Sequence, residues 1–325
     1  MQVFKGKSGG ILAGLAAGAL WGLVFVAPRM VLGESEGSAG LNSVDLSAGR
    51  YVVYGLIAAV LMLLGLMTNK SLNKSSNKSQ KQHPSLDQAL AALGLSILGF
   101  TGYYLLLVLA INDTGTEMPT LIIGTIPIWV MFLGKQQGLS FRSLLPGLML
   151  TAAGLVLMAY AQVHGQAEIK SPTSTHYWRG IAYAVAAMVC WTIFAILNAA
   201  WLKKHPEVSA TNWANWLGVA TGVGGLVLWL FVGSDLKVIV NDPKFISFAL
   251  ICIATGAGSA WLATILWNIA SQRLSASLCG QLIVSETIFA LIYSAWWDGK
   301  MPVYLAILAS ALFVLGILAS IKAHK

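Results

Sequence analysis

The chain has 325 residues, 57% of them apolar and only 10% charged, with a formal net charge of +8. A soluble globule needs roughly a quarter of its positions charged, so this composition excludes one and makes lipid the solvent. The positive charge does not point to nucleic acid, because its Lys and Arg follow a membrane topology.

Crossing roughly 30 Å of hydrocarbon takes about 20 apolar residues in a helix. Ten stretches of that kind follow one another: Ser8 to Leu32, Leu41 to Met67, Ala89 to Ile111, Thr116 to Gly134, Leu144 to Val163, Trp178 to Leu202, Thr211 to Val232, Phe245 to Ala270, Ser275 to Trp297 and Val303 to Ile321. The expected fold is therefore an all-α integral membrane bundle of ten helices. The first stretch is too long for a secretory signal and reads as a retained helix.

That first span carries Gly10, Gly14, Gly18 and Gly22 at intervals of four, which lines up four side chains of a single hydrogen on one helix face. In lipid, close approach through small residues is a main source of helix association. Gly14 and Gly18 are the candidate packing positions. The second span holds Arg50, the deepest basic residue, whose candidate partners are Asp45, Glu117, Glu286 or an anionic group of a solute. After it comes the polar, Lys-rich stretch of about 69–86, expected to be a flexible loop.

In the fourth span Pro127 removes a backbone hydrogen bond and should kink the helix. The segment Gln166 to His176 separates two sets of five spans. Offsetting the sets by 170 residues places Gly10 on Gly180, Ala17 on Ala187 and Trp21 on Trp191, and an offset of 160 places the Pro127 region on the Glu286 region. Five spans repeated in one membrane must lie in opposite orientations, so residues 1–165 and 177–325 are read as two inverted repeats.

Glu286 is the sharpest single residue. It lies about twelve positions into the ninth span, near the bilayer midplane, where an ionisable group costs at least a few kcal/mol unless it is paired, hydrated or protonated. Such a group suits a proton pathway or recognition of a cation. Trp21, Trp191, Trp129, Trp261, Trp267, Tyr103 and Tyr104 also lie deep and could line a pocket, with Gln281, Asn198 and Asn268 as further buried polar groups. Trp178, Trp201, Trp296 and Trp297 fit an interfacial belt.

Thirteen of the 20 Lys and Arg fall on alternate connections, beginning with Lys5 and Lys7 and ending with Lys322 and Lys325, which places both termini in the cytoplasm. The three cysteines all lie within spans and imply no disulfide framework. No phosphate-binding loop, metal-ligand spacing or soluble enzyme signature occurs, so no cofactor, metal or catalytic residue is expected and ATP-driven transport by this chain alone is disfavoured.

The two five-span sets, the small-residue first and sixth spans with Trp21 and Trp191, the Arg50-Tyr51 pair and Pro127 together resemble the drug/metabolite transporter superfamily, and within it the EamA-type ten-helix transporters. The resemblance covers essentially the whole chain. It implies a bacterial inner-membrane carrier, with a central cavity between the repeats that opens alternately to each side, exporting amino acids or other small metabolites. The sequence departs from that pattern at Glu286, near which the family commonly has a proline. The expectation is a secondary exporter of a small organic solute, amino acid, aromatic or cationic, with protons as candidate coupling ion. Its partners would be the solute and the lipid bilayer, with no nucleic acid, and the oligomeric state is open. An uptake carrier for metabolites or sugars is the alternative within the fold, and a signalling or scaffold protein the alternative outside transport.

Overall fold

The computed structural model describes residues 6–32, 41–72, 83–115, 117–135, 139–165 and 175–324. The greater part of the polar 69–86 stretch and of the Gln166 to His176 connection lies outside these residues. Among the described residues there are helices and turns, and no strand. Helix satisfies every backbone group within its own segment, which a hydrocarbon solvent demands.

Among the described residues nine helices are long and apolar enough to cross a membrane, and a tenth, Met118–Leu133, is shorter. Several spans are built in pieces. The first comprises α1 (Gly6–Gly22), a tight turn over Leu23–Phe25, and α2 (Ala27–Leu32), which resumes one residue before Pro28. The second is α3 (Ser43–Leu72). The third is α4 (Leu86–Ser96) and α5 (Gly102–Thr114), joined by a π-helical turn at Ile97–Thr101. The fourth is α6 (Glu117–Gly124) and α7 (Ile126–Leu133), and the fifth α8 (Phe141–Gly165). The sixth is α9 (Thr175–Lys204) and the seventh α10 (Ala210–Val232), after which a short α11 (Leu236–Asn241) leads into the eighth. That span is α12 (Phe245–Thr255) and α13 (Ala263–Arg273) around a second π-helical turn at Gly256–Leu262. The ninth is α14 (Ala276–Asp298) and the tenth α15 (Tyr304–Ala323). The Lys7 ammonium donates to the carbonyl of His324, so the start and end of the chain share one end of the bundle, called here the termini end.

The expected kink at Pro127 is a full break. The helix stops at Gly124, turns at Thr125 and restarts with Pro127 in the first turn of α7. The Thr125 hydroxyl donates to the Ile122 carbonyl at 2.6 Å and itself accepts the indole N–H of Trp129 at 3.2 Å.

Helix packing repeats itself between the halves. The first span lies along the eighth and ninth, and the sixth lies along the third and fourth; the second pairs with the seventh, the fifth with the tenth, and the fourth with the ninth. Exchanging each span with the one five later leaves that set unchanged. Individual contacts obey the same exchange. A Cβ on Gly10 would meet Arg273 and Leu274, while one on Gly180 would meet Asp113 and Thr114. Arg273 and Leu274 follow Asp113 and Thr114 by 160 residues, as Gly180 follows Gly10 by 170. One contact lies at the termini end and its counterpart at the opposite, distal end, as the five-span inversion requires. In the second and seventh spans, Gly218 against Ala58 is matched by Gly225 against Tyr51, and in the fifth and tenth, Gly147 against Ser320 is matched by Gly154 against Phe313.

The core sits toward the termini end. Ala13 and Ala17 of α1, Val130 of α7, Trp267 and Ala270 of α13, and Leu278 and Leu282 of α14 form one buried cluster. Small residues on α1 let α13 and α14 approach closely, which is where dispersion contact gathers in a lipid solvent.

Candidate functional site

In α14, every residue from Ser277 to Ser285 is buried, whereas from Glu286 to Ala295 none is fully buried. Glu286 thus stands where the tightly packed termini half of this helix gives way to the looser distal half. The glycine line of α1 holds it there. A Cβ on Gly14 would stand 2.7 Å from Leu282, one on Gly18 would collide with the Ser285 hydroxyl and stand 3.2 Å from the Glu286 backbone nitrogen, and one on Gly22 would stand 2.9 Å from the Ala290 nitrogen. Both candidate packing glycines therefore seat the carboxylate-bearing helix.

Arg50 faces the same region from α3. Its guanidinium carbon lies 4.9 Å from the centre of the Tyr51 ring, a cation–π placement. Its Nε is buried with no hydrogen-bond partner among the described residues. It lines a cavity of about 20 Å³ with Val24, Ala27, Leu46, Ser47 and Thr255, enough for about one water. Asp45, a candidate partner in the sequence, is engaged elsewhere. Its carboxylate accepts from the Ser234 N–H and hydroxyl, each at 2.8 Å, and from the Asn42 N–H at 3.0 Å. The Glu117 side chain lies outside the description. Arg50 and Glu286 are close enough to act on one another electrostatically, and both act on Tyr103.

An aromatic chain runs from this charged pair into the bundle. Tyr51 meets Tyr104 and Phe100 edge-on at 6.2 and 6.1 Å, Phe100 meets Phe194 at 5.4 Å, and Phe194 meets Trp191 at 5.9 Å. Trp191 closes a triad with Trp21 and Trp267, with ring centres 5.3 to 6.3 Å apart. The two tryptophans aligned by the 170-residue offset, Trp21 and Trp191, thus touch across the centre. The Tyr104 hydroxyl donates to the Ser43 carbonyl at 2.9 Å. Phe100 projects from the π-helical turn of the third span and Trp261 from that of the eighth, where its indole N–H donates to Asn215 at 2.9 Å. No periodic signal in the sequence marks these turns; their trace is the glycine pairs Gly99 and Gly102, and Gly256 and Gly258.

Other sequence candidates lie apart. Asn268 is fully buried between Asn198, whose amide donates to it at 3.1 Å, and the Ala210 carbonyl, and Trp213 donates to Asn198 at 2.7 Å. Gln281 donates to the Thr151 hydroxyl at 2.8 Å and accepts from Ser320 at 3.2 Å, joining the ninth span to the fifth and tenth. Trp129, expected to be deep, is 43% exposed on the outside of α7. Trp201, expected in an interfacial belt, stacks on Trp213 with ring centres 3.6 Å apart. Two ion pairs at the distal end had no sequence signal: Arg179 with Asp113 at 2.8 Å, and Arg29 with Asp298 at 2.9 Å.

No group of three or more His, Cys, Asp or Glu that could hold a metal occurs among the described residues. What the arrangement offers is one cation from the first half, one carboxylate from the second, and flat aromatic surface beside them.

Comparison with known proteins decides the family. Residues 8–160 match the EamA-like transporter family. Over 97% of its length the chain is 30% identical to the inner membrane protein YtfF of Escherichia coli (strain K12), covering 95% of that protein. The chain belongs to the EamA-like transporter family. The uncharacterized transporter YdfC of Bacillus subtilis (strain 168) is 23% identical to the chain over 250 residues, 74% of this chain and 73% of that one. A solved crystal structure with 17% identity shares the fold, with a TM-score of 0.72 over 98% of each chain. As an EamA-like protein, the chain is a multi-pass membrane transporter.

Proposed function

We propose that this EamA-like chain is a secondary exporter of small organic metabolites in a bacterial inner membrane, working by alternating access between inverted repeats at 1–165 and 177–325. The observation that carries this reading is Glu286 standing where the packing of the ninth span changes from tight to loose, with Arg50 facing the same region from the other half. A half-buried cation and a carboxylate with an aromatic wall match a solute bearing an anionic and a cationic group on an apolar or aromatic body, as amino acids do. The excess of Lys and Arg on the connections at the termini end supports a cytoplasmic location for both termini. In that orientation the tightly packed end faces the cytoplasm, and the site is reached from outside.

A carboxyl at this depth costs least when neutral or paired, so Glu286 is the group through which proton movement would couple to solute movement. The test is flux into liposomes carrying the purified protein, across amino acids, polyamines, quaternary amines and sugars, with and without a pH gradient. Saturable flux of amino acids or cationic aromatics that responds to the gradient is expected. Absence of saturable flux in every solute class would overturn the reading.

A further inference from the structure

The fourth and ninth spans meet only part of the way along. α7 packs along α14, while α6 turns instead to α9 and α8. At the termini end the contact is tight: a Cβ on Gly280 would stand 2.9 Å from that of Val130, one on Gly134 would stand 2.8 Å from that of Ala276, and the Ser277 N–H donates to the Gly134 carbonyl at 3.1 Å. Distally, Thr120 is exposed and Ala290 only half-buried.

Two independent observations fix which residues of these spans correspond. Thr125 and Ser285 are 160 residues apart, and each donates its hydroxyl to the carbonyl three residues earlier, Ile122 and Leu282. Each also faces the same place on the first helix of the other repeat: the Thr125 hydroxyl lies 3.2 Å from the Met188 sulfur, and the Ser285 hydroxyl abuts Gly18, with Met188 and Gly18 170 residues apart. Under this exchange Gly280 corresponds to Thr120, Val130 to Ala290, and Gly134 to Ser294.

We infer that the protein has a second gate, at the distal end, formed by Thr120 closing against Ala290, and that this gate is looser than the one at the termini end. The inference rests on the alternating-access reading. In an inverted repeat the opposite-facing state has each half adopt the conformation of the other, so the Gly280–Val130 contact is traded for Thr120–Ala290. The termini gate is built on Gly280 and Gly134, which permit backbone approach. Their counterparts Thr120 and Ser294 carry side chains and hold the helices further apart. The resting population therefore favours the termini-closed arrangement.

The test uses the full-length chain in native membranes with Cys190, Cys252 and Cys279 replaced by Ser, and with Thr120→Cys and Ala290→Cys. A disulfide needs Cβ atoms about 3.5–4.5 Å apart, and it traps even a state of about 1% population. Expected are a bridge between these positions, loss of flux on oxidation, and recovery on reduction; Thr120→Cys with Ile292→Cys, whose partner side chain is 53% exposed, should stay unbridged. With Thr120→Gly the accessibility of a distal reporter cysteine should fall relative to the unmodified gate. Flux without any Thr120–Ala290 bridge, or equal bridging of both pairs, would overturn the second gate while leaving the carrier reading intact. A bridge in a protein that moves none of the solutes would sink the carrier reading and leave the gate standing.

Discussion

Arg50 and Tyr51 are consecutive in sequence, yet the guanidinium of one folds back to within 4.9 Å of the ring centre of the other. Stacking keeps the cation in place without using its donors, and Nε has no partner among the described residues. Arg50→Lys keeps the charge but loses the planar stack and the fork of donors, so the two are not equivalent here. Proteoliposome flux should fall more than about tenfold in Arg50→Gln, corresponding to at least ~1.4 kcal/mol of lost solute binding or closure, and partially in Arg50→Lys. Glu286→Gln should retain binding of the anionic end but abolish the response to a pH gradient. Unchanged flux and pH response in both charge-neutral variants would remove this pair from the transport site.

The second and seventh spans cross where Gly55 meets Gly222, and a Cβ on either would stand 2.6 Å from the Cα of the other. No rotamer relieves a clash with backbone. Gly55→Val or Gly222→Val should each lower stability by about 1–3 kcal/mol or more, read as an earlier aggregation midpoint in detergent. Gly94→Ala is the control, since a Cβ there meets nothing within 4 Å, and it should leave the midpoint unchanged or raise it. Equal midpoints for all three would show that the crossing tolerates side chains.

The number and limits of the spans were legible because lipid imposes one rule on every residue: backbone groups must be bonded within the helix and side chains must be apolar. The break at Pro127 was legible for the same reason, as a missing donor. What the rule does not encode is azimuth. In a soluble helix the apolar face points inward, but in lipid both faces are apolar, so nothing in the sequence distinguished Trp129, which faces outward, from Trp267, which is buried. The partners of Gln281 were hidden for a related reason. Its polarity marked it as needing partners, and those are Thr151 and Ser320, not the Arg50–Glu286 region. The equivalence of Trp21 and Trp191 was legible from the 170-residue offset, but their contact depends on where the axis of the repeats passes, which the offset does not encode.

His324 lies just beyond the tenth span, its Nδ1 donating to the Ser320 carbonyl at 2.7 Å and its Nε2 buried without a partner among the described residues. Burial lowers its affinity for a proton, the Ser320 bond works in the opposite direction, and the nearby Lys7 ammonium lowers it further, so its pKa lies below the ordinary histidine value. The unfolded chain therefore binds the proton more readily than the folded one. Stability from this group is fully present above about pH 6.5 and is lost as pH falls through the lowered native pKa, with a slope of at most about 1.4 kcal/mol per pH unit. Thermal midpoints in detergent between pH 7.5 and 5 should fall for the natural chain and fall less for His324→Ala. Parallel decline in the two would exclude His324 as the cause.

Gln281 supplies the sharpest separation between holding the bundle together and moving a solute. Its amide bridges Thr151 on the fifth span and Ser320 on the tenth from a fully buried position on the ninth, below the level of Glu286 toward the termini end. Gln281→Leu removes both bonds, leaving the Thr151 hydroxyl without its donor and the Ser320 hydroxyl with only the Met131 sulfur at 3.5 Å, at a cost of about 1–3 kcal/mol for an unsatisfied buried group, moderated in lipid by the partners such groups find in alternative packings. Gln281→Glu keeps the shape and one acceptor, but adds a carboxyl at a second buried site. The expected outcome for Gln281→Leu is a lower detergent midpoint, with flux per folded molecule and its pH response within about twofold of the natural protein. A selective loss of flux at unchanged midpoint would instead place Gln281 on the solute or proton path and extend the site from Glu286 down the ninth span.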